Sequence, residues 1–351
     1  MQCVECERIR EIVRDRNRVY LSFPTSFTYE KALSGIRDGG LAHDTGPGPR
    51  CVSFQATPDE LRRLCARFAD QLSSKERAHS RALVLPADDE PTLGEYLGAL
   101  SIAQLVAVVD GLRLVELIEG DRLFSALQPI FRPDGMLYGH EALLRGREID
   151  GRIIPAGPLF AAAAETELLF TVDMIARRLA LDAAARVGKG VIFVNFDPGS
   201  IYDPTFCLRD TEAYVRQLGL RPQDIVFEVT ESGEVRDHDH LRRILRFYRD
   251  AGFRVALDDV GAGFAGLSML LEVRPDVIKI DMQLIRGIEQ DPYRQSVVGH
   301  LIGIARDVGA LSVAEGIETE AEMEWVTCAG VDLLQGYLLG RPYIPEDIHR
   351  A

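Results

Sequence analysis

The chain of 351 residues is predicted to fold as a β/α barrel that follows a small mixed α/β module. Short apolar runs recur after residue 122, helical patterns lie between most of them, and polar side chains stand at the ends of the runs. An open doubly wound sheet is the alternative, but no glycine fingerprint follows the first run to favour it. The predicted strands are 126–131, 137–144, 191–196, 225–230, 255–260, 277–281, 312–317 and 333–338.

The small module is predicted to comprise residues 1–120, which leaves residues 121–351 for the barrel. Its clearest helix begins at Thr57, because Pro58 occupies the first helical position and Glu60 completes a capping box. Residues 81–86 fit a buried strand, and the segment 39–49, rich in glycine and proline, fits a loop. A regulatory role is one interpretation of this module, but no residue pattern in it identifies a ligand.

The six cysteines are spread through the chain, and its charged beginning lacks the apolar core of a secretory signal. This distribution predicts reduced thiols and a cytoplasmic location. Cys3 and Cys6 have the spacing of half a zinc knuckle, and cysteines or histidines further along the module could complete it. Ordinary buried or terminal thiols are the alternative interpretation, because the full spacing matches no standard four-ligand pattern.

Charge and hydropathy limit the partners that we expect. The net charge of −14 argues against broad binding of duplex nucleic acid, which needs a basic face. The most apolar segment, residues 97–109, is interrupted by Ser101 and Gln104 and is too short to span a bilayer. The sequence therefore predicts neither a duplex nor a membrane as a partner.

Polar side chains at the carboxyl ends of the predicted strands form the candidate site. In a barrel those ends share one face, where enzyme sites are built. The fifth strand ends in two adjacent carboxylates, Asp258 and Asp259, and the glycines at 261 and 263 permit a turn that directs both toward one spot. The other strand ends supply Glu141, Asn195, Glu228 with Glu231, Lys279 with Asp281, Glu315 with Glu318, and Gln335.

The residue types in this set indicate metal-dependent phosphodiester chemistry. Carboxylate and amide oxygens suit Mg²⁺ or Mn²⁺, and the set lacks the histidine and cysteine that favour zinc. Two such ions about 4 Å apart bind the attacking and leaving oxygens of a phosphodiester and lower the pKa of a bridging water. Lys279 can hold or deprotonate that water, although a lysine that merely neutralises the carboxylates is the alternative. Arg145 offers the planar fork that binds phosphate.

Eight motifs that occur in order between residues 128 and 337 carry a resemblance to a known family. They are Gln128-Pro-Ile130, Glu141-Ala-Leu-Leu-Arg145, Val194-Asn195, Glu228-Val-Thr-Glu231, Leu257-Asp-Asp-Val-Gly-Ala-Gly263, Lys279-Ile-Asp281, Ala314-Glu-Gly-Ile-Glu318 and Gln335-Gly-Tyr337. From about Leu123 onwards the chain resembles the EAL-domain family of cyclic di-GMP phosphodiesterases. The resemblance implies hydrolysis of cyclic di-GMP to linear pGpG on a modified barrel whose first strand runs antiparallel to the others.

The resemblance also implies roles for the matched residues. The first of two Mg²⁺ or Mn²⁺ ions would be held by Glu141, Asn195, Glu228 and Asp258. Asp258 would bridge to the second ion beside Asp259. Lys279 would position or activate the water with support from Glu315, and Glu231 would anchor the loop after the fifth strand. The implied substrate site comprises Gln128, Leu143, Arg145, Asp281, Glu318 and Gln335.

The loop after the fifth strand departs from the family pattern. The family usually has Asp-Phe-Gly-x-Gly-Tyr-Ser-Ser, whereas residues 259–266 of this chain are Asp-Val-Gly-Ala-Gly-Phe-Ala-Gly. The missing hydroxyl groups remove hydrogen bonds worth about 1 kcal/mol each. We therefore expect a less ordered loop. As a result, the second metal ion would bind more weakly, coupling across a homodimer would be weaker, or turnover would be slower. A cyclic di-GMP receptor without turnover is the alternative function, but the complete ligand set and Lys279 favour an enzyme.

Overall fold

The computed structural model of the chain describes residues 13–166, 168–188, 190–201, 204–230, 238–262 and 266–345. The chain divides into two units, of which the first comprises Met1–Arg122 with Gly146–Leu169 and the second comprises Leu123–Arg145 with Phe170–Ala351. The first unit thus includes a segment that follows the second barrel strand in sequence. The single boundary near residue 120 stays a prediction.

A five-stranded antiparallel sheet, with strand order β2-β3-β1-β4-β5, forms the framework of the first unit. The elements of this part of the chain are β1 (Asn17–Ser22), α1 (Ser26–Asp38), β2 (His43–Thr45), β3 (Cys51–Ala56), α2 (Pro58–Gln71), α3 (Ser74–His79), β4 (Arg81–Pro86), α4 (Leu93–Leu97), β5 (Leu100–Ser101) and α5 (Ile102–Glu119). On the central strand, Val19 pairs with Phe54 on one side and Val84 on the other. The alternating buried residues of β1 show that one face of the sheet is covered.

The predicted helix after Thr57 and the predicted strand over residues 81–86 are both confirmed. Thr57 accepts a hydrogen bond from the N–H of Glu60, and the Glu60 carboxylate accepts one from the N–H of Thr57. The prediction of a loop over residues 39–49 is partly wrong, since β2 lies within it and pairs with β3. Cys3 and Cys6 lie outside the described residues, so the structure does not test the zinc hypothesis.

The second unit contains a closed eight-stranded barrel within the described residues, with strand order β6-β14-β13-β12-β11-β10-β9-β7 and a pairing of β6 with β7 that closes the ring. The remaining elements of the chain are β6 (Leu123–Phe131), β7 (Leu137–Arg147), β8 (Ile153–Ile154), α6 (Ala156–Glu165), α7 (Leu169–Val187), β9 (Val191–Asn195), α8 (Pro204–Gln217), β10 (Ile225–Thr230), α9 (His238–Asp250), β11 (Arg254–Val260), α10 (Gly266–Val273), β12 (Val277–Ile280), α11 (Met282–Ile285), α12 (Pro292–Val308), β13 (Leu311–Ala314), α13 (Glu320–Cys328) and β14 (Leu333–Leu334).

The barrel has the strand directions that the family resemblance implies. Strand β6 is antiparallel to β14, whereas the pairs from β7 through β9 to β14 are parallel. Strands β13 and β14 end earlier than predicted, so that Glu315 and Gln335 follow their strands. Gly316, which follows Glu315, has a φ of 66° and turns the backbone out of the extended conformation there.

Apolar side chains fill the barrel on the inside and cover it on the outside. The outer layer joins the strands to the surrounding helices, as continuous apolar runs in parallel strands predict. Within the described residues, no helix combines the length and apolar character needed to cross a membrane. The inner cluster, in which every member is fully buried, comprises Ile130, Phe193, Val226, Ala256, Val277, Val313 and Leu333.

Candidate metal centre at the barrel mouth

The candidate site is the next layer of side chains above the inner cluster of the barrel. Successive side chains on a strand point to opposite faces, so a residue two positions after an inner residue points into the barrel as well. The sequence period therefore stacks the site directly on the core. The residues placed in this way are Asn195 after Phe193, Glu228 after Val226, Asp258 after Ala256 and Lys279 after Val277. Glu315 and Gln335 are the first residues beyond β13 and β14, and they have the same spacing from Val313 and Leu333.

Lys279 lies at the centre of this layer, and its side chain is 1% exposed. Its Nζ is 2.7 Å from Glu228 Oε1, 2.7 Å from Glu315 Oε1, 2.9 Å from Asp258 Oδ1 and 3.8 Å from Glu141 Oε2. Four carboxylates thus surround one ammonium group. When all are ionised, this set carries a formal charge of about −3, which is costly to bury without further cations.

Glu141 is oriented by two amide side chains from other strands. Asn195 Nδ2 donates to Glu141 Oε1 over 3.2 Å, and Gln335 Nε2 donates to Glu141 Oε2 over 2.6 Å. The Gln335 Oε1 atom is buried and has no hydrogen-bond donor among the described residues. Both carboxylate oxygens of Glu228 likewise lack a well-aligned hydrogen bond there, although Lys279 lies close to one of them. Buried acceptors without donors are the expected surroundings of a bound cation.

Carboxylate oxygens in this layer form two overlapping sets that could each hold an ion. One set comprises Glu141, Glu228 and Asp258, and the other comprises Asp258, Asp259 and Glu315. Within each set, one ligand atom per residue lies within 4.8 Å of the others. Because Asp258 belongs to both, the arrangement fits two neighbouring ions that share one carboxylate, and the all-oxygen donors suit Mg²⁺ or Mn²⁺.

The end of β11 brings Asp258 and Asp259 together as the sequence predicted. Asp259 has a φ of 55°, and its N–H donates to Asp258 Oδ1 over 3.0 Å. The register with β12 shifts between Leu257 and Val260, so the strand is already irregular at the two carboxylates. Gly261 follows with a φ of 102°, and a Cβ there would lie 2.3 Å from Leu284 Cδ1, which leaves no room for a side chain.

Burial and mutual repulsion shift the pKa values of the site. Burial raises the pKa of Glu228 and of Glu315 well above the ordinary value, although Lys279 opposes the rise. Burial and the neighbouring Asp258 raise the pKa of Asp259 to about 6. Burial alone would lower the pKa of Lys279, but the surrounding carboxylates raise it well above the ordinary value. In the metal-free site Lys279 is therefore an ammonium group that donates hydrogen bonds.

The residues assigned to the substrate site have different surroundings. Gln128 is buried and donates to the carbonyl of Gly340 over 3.3 Å, and Leu143 is half-buried. Arg145 is also half-buried, and its Nη1 donates to the adjacent Leu144 carbonyl over 2.8 Å. Burial lowers the pKa of Arg145, and the negative charge of Glu141 partly offsets this effect.

Asp281 and Glu318 have protein partners in the structure. Asp281 caps α11 by accepting from the N–H of Gln283 over 2.8 Å, and Glu318 pairs with Arg286. Glu231 and the segment 263–265 lie outside the described residues, so the predicted loop anchor and the predicted loop order are not tested.

Sequence reasoning missed a second set of buried charges in the barrel. Asp173 and Arg177 on α7 form an ion pair with side chains 0% and 2% exposed. The available signal was their i, i+4 spacing, which is typical of pairs on a helix surface. That spacing alone does not distinguish a buried pair from an exposed one.

Comparisons with known proteins extend over most of the barrel. The model of the EAL domain matches residues 112–342. The chain is 30% identical over 234 residues to the cyclic di-GMP phosphodiesterase PdeF of Escherichia coli K12, a match that covers 66% of this chain and 31% of PdeF. It is also 30% identical over 241 residues to the bifunctional diguanylate cyclase/cyclic di-GMP phosphodiesterase MucR of Pseudomonas aeruginosa, covering 67% of this chain and 35% of MucR. The matches thus span about a third of these relatives.

Solved structures give the same result. A standalone EAL protein from Vibrio cholerae O395, in its c-di-GMP bound form, is 32% identical with a TM-score of 0.57, over 64% of this chain and 93% of that protein. The manganese/cyclic di-GMP complex of Klebsiella pneumoniae BlrP1 is 26% identical with a TM-score of 0.58, over 94% of this chain and 97% of that one. With the domain match, the barrel and the acidic cluster in agreement, the chain belongs to the EAL domain family of c-di-GMP phosphodiesterases.

Proposed function

We propose that this protein hydrolyses cyclic di-GMP to linear pGpG with two Mg²⁺ or Mn²⁺ ions and so lowers the level of this bacterial second messenger. The observation that carries the proposal is the imbalance of charge around Lys279, where four carboxylates face one ammonium group. Two divalent cations would offset that excess, and the two overlapping ligand sets offer a place for each. We assign the reaction to the cytoplasm, as the distribution of the cysteines predicts.

The residues of the site divide the work of the reaction. When bound, the ions supply Lewis acidity to the phosphate and lower the pKa of a water molecule. Glu141, Asn195, Glu228 and Asp258 would hold the first ion, and Asp258 with Asp259 would hold the second. These ligands are oriented before substrate arrives, since amide groups already fix Glu141.

Lys279 and Glu315 would orient the attacking water. Lys279 would position or activate the water at its Nζ, while Glu315, 2.7 Å from that atom, supports this orientation. The water oxygen loses a proton and forms a bond to phosphorus, while the bond from phosphorus to one ribose 3′ oxygen breaks and that oxygen takes up a proton. A linear dinucleotide with a 5′-phosphate results.

The substrate would be held at the rim of the same site. Arg145 would pair with a phosphate group through its planar guanidinium, and Leu143 and Gln128 would contact the nucleotide. Gln335, Asp281 and Glu318 complete the proposed substrate set. Gln335 donates a hydrogen bond to Glu141, which is a proposed metal ligand. It would therefore link substrate binding to the geometry of the metal ligands.

The direct test is to incubate the purified chain with cyclic di-GMP and Mn²⁺ or Mg²⁺ and to separate the nucleotides by chromatography. We expect pGpG from the unmodified protein and at least a 100-fold lower rate from Glu141→Ala, which removes a first-ion ligand and the acceptor of two amide groups. Glu212→Ala is the matched control, because this carboxylate pairs with Arg216 on the outer helix α8.

The outcomes of this test separate the two functions. Formation of pGpG that depends on the metal ion supports the enzyme. Binding of cyclic di-GMP without product would instead favour a receptor that signals through protein contacts. The absence of both binding and turnover would refute both functions for this chain.

A further inference from the structure

The buried ion pair on α7 carries an inference about the metal centre. Arg177 Nη2 lies 2.9 Å from Asp173 Oδ2, and both side chains are removed from solvent. Burying two charges costs free energy that their attraction repays only with good geometry and additional hydrogen bonds. The further contacts of this pair therefore indicate what it contributes to the protein.

Those contacts join α7 to the segment that follows Asn195. The second oxygen of Asp173, Oδ1, accepts the backbone N–H of Asp197 over 3.1 Å, and the Ser200 hydroxyl also hydrogen-bonds to this carboxylate. On the other side of the pair, Arg177 Nη1 donates to Thr211 Oγ1 on α8 over 3.1 Å. The pair thus fixes the backbone two residues after a proposed metal ligand.

The residue between the two is fixed as well. The N–H of Phe196 donates to the carbonyl of Glu228 over 3.1 Å, and its ring packs edge to face against Tyr248 with centroids 5.2 Å apart. Consecutive backbone N–H groups after Asn195 are therefore bound by different parts of the barrel. Asn195 itself reaches across to Glu141 Oε1. A shift of this backbone would move the Asn195 amide relative to Glu141.

We propose that Asp173 and Arg177 are positioning residues for Asn195, which they hold in the geometry that binds the first metal ion. This inference rests on the proposed function, since it assumes that Asn195 is a metal ligand. Neither residue touches the site. Asp173 acts through the backbone of Asp197, and Arg177 orients the Asp173 carboxylate through the ion pair.

Binding of Mn²⁺ to the full chain, measured by titration calorimetry and by the electron paramagnetic resonance of free Mn²⁺, tests the proposal without relying on activity. We expect Asp173→Asn to weaken Mn²⁺ binding about 10-fold to 100-fold, because the new amide NH₂ cannot pair with Arg177 and the side chain is then no longer held against the Asp197 N–H. With cyclic di-GMP, kcat at limiting Mn²⁺ should fall while KM for the nucleotide changes little.

The matched control is Asp182→Asn on the same helix. Asp182 accepts a hydrogen bond from the Tyr214 hydroxyl on α8. In the part of the chain that the structure describes, it makes no hydrogen bond or ion pair with residues 195–200. It should lose a helix contact and keep its Mn²⁺ affinity. Arg177→Lys is a second variant, which keeps the charge but gives up the planar fork, and thermal unfolding identifies the variants that remain folded.

A double-mutant cycle shows whether Asp173 acts through Asn195. Once Asn195→Ala has removed the ligand, adding Asp173→Asn should cause little further loss of Mn²⁺ affinity. Fully additive losses, or unchanged affinity in folded Asp173→Asn and Arg177→Lys, would overturn the proposal. If the unmodified protein neither binds Mn²⁺ nor produces pGpG, the proposed function fails instead, so the two failures are distinguishable.

Discussion

Two of the buried groups of charges in the described part of the barrel unit differ in their balance. Asp173 and Arg177 pair one carboxylate with one guanidinium, whereas the layer around Lys279 sets four carboxylates against one ammonium. The first group is neutral, and the second needs positive charge that the described side chains do not provide. Buried charge therefore indicates a site for cations only where the protein leaves it uncompensated.

The hydrogen bonds of the two groups differ at one oxygen. Asp173 Oδ2 lies 2.9 Å from Arg177 without a well-aligned hydrogen bond, but Asp173 Oδ1 accepts the N–H of Asp197. Glu228 is equally buried, and neither of its oxygens has a well-aligned donor among the described residues. Burial raises the pKa of both carboxyls, and it raises that of Glu228 well above the ordinary value, where neighbouring carboxylates add to the rise.

The largest expected effect is that of Lys279→Met compared with Arg177→Met. Each change leaves buried carboxylate charge unpaired, so each should lower the free energy of unfolding of the metal-free protein by about 3–5 kcal/mol. Saturating Mn²⁺ should restore much of the loss in Lys279→Met and little in Arg177→Met. Urea denaturation with and without Mn²⁺ measures both. An equal response of the two variants to Mn²⁺ would remove the distinction between the groups.

A smaller effect is expected from the metal ion alone. Mn²⁺ at 100 times its Kd should raise the free energy of unfolding of the unmodified protein by about 2.7 kcal/mol. Glu228→Gln should abolish most of this gain and leave the metal-free stability equal or higher, because it removes a charge repelled by its neighbours. Asp182→Asn should keep the gain. Thermal unfolding with a Mn²⁺ series checks this, and an unchanged gain in Glu228→Gln would contradict the assignment.

Asp259 should contribute a loss of stability to the metal-free protein as pH rises from the ordinary Asp value of 3.8 to about 6, the pKa of Asp259 in the folded protein. In this range the folded state holds a proton that the unfolded state has released, so a rise in pH favours unfolding. Asp259→Asn should reduce the slope without removing it, since Glu228 and Glu315 shift in the same direction. Urea denaturation across this range measures how the free energy of unfolding changes with pH. Identical slopes for the unmodified protein and Asp259→Asn would contradict the raised pKa of Asp259.

The smallest effect is expected for Arg286→Ala. Arg286 pairs with Glu318, but the two side chains are 36% and 46% exposed. An exposed pair contributes about 0–1 kcal/mol, so the free energy of unfolding should change by no more than that. A loss comparable with that of Arg177→Met, measured by the same denaturation, would show that exposure does not separate weak pairs from strong ones in this barrel.

Much of the site could be predicted because the spacing of its residues along each strand can be read from the sequence. Lys279 follows Val277 by one strand period, and the same spacing relates Glu228 to Val226. The pair Asp173 and Arg177 escaped prediction because an i, i+4 pair has the same spacing whether a helix face is covered or exposed. The end of β13 was predicted too late for a different reason. The apolar run continues to residue 317, but the backbone at Gly316 is not extended and the strand ends at Ala314.

The amino-acid order shows which chemical groups face the interior of the barrel along each strand, because the alternation of side chains is a property of the strand alone. The balance of those charges depends on the fold. Distances between Lys279, Glu141 and Asp258 join strands far apart in the chain, and the electrostatic energy of buried groups depends on such distances and on the removal of water. The fold likewise places Asp258 within reach of two ligand sets. It also buries the pair of Asp173 and Arg177, whose spacing in sequence is that of a surface pair.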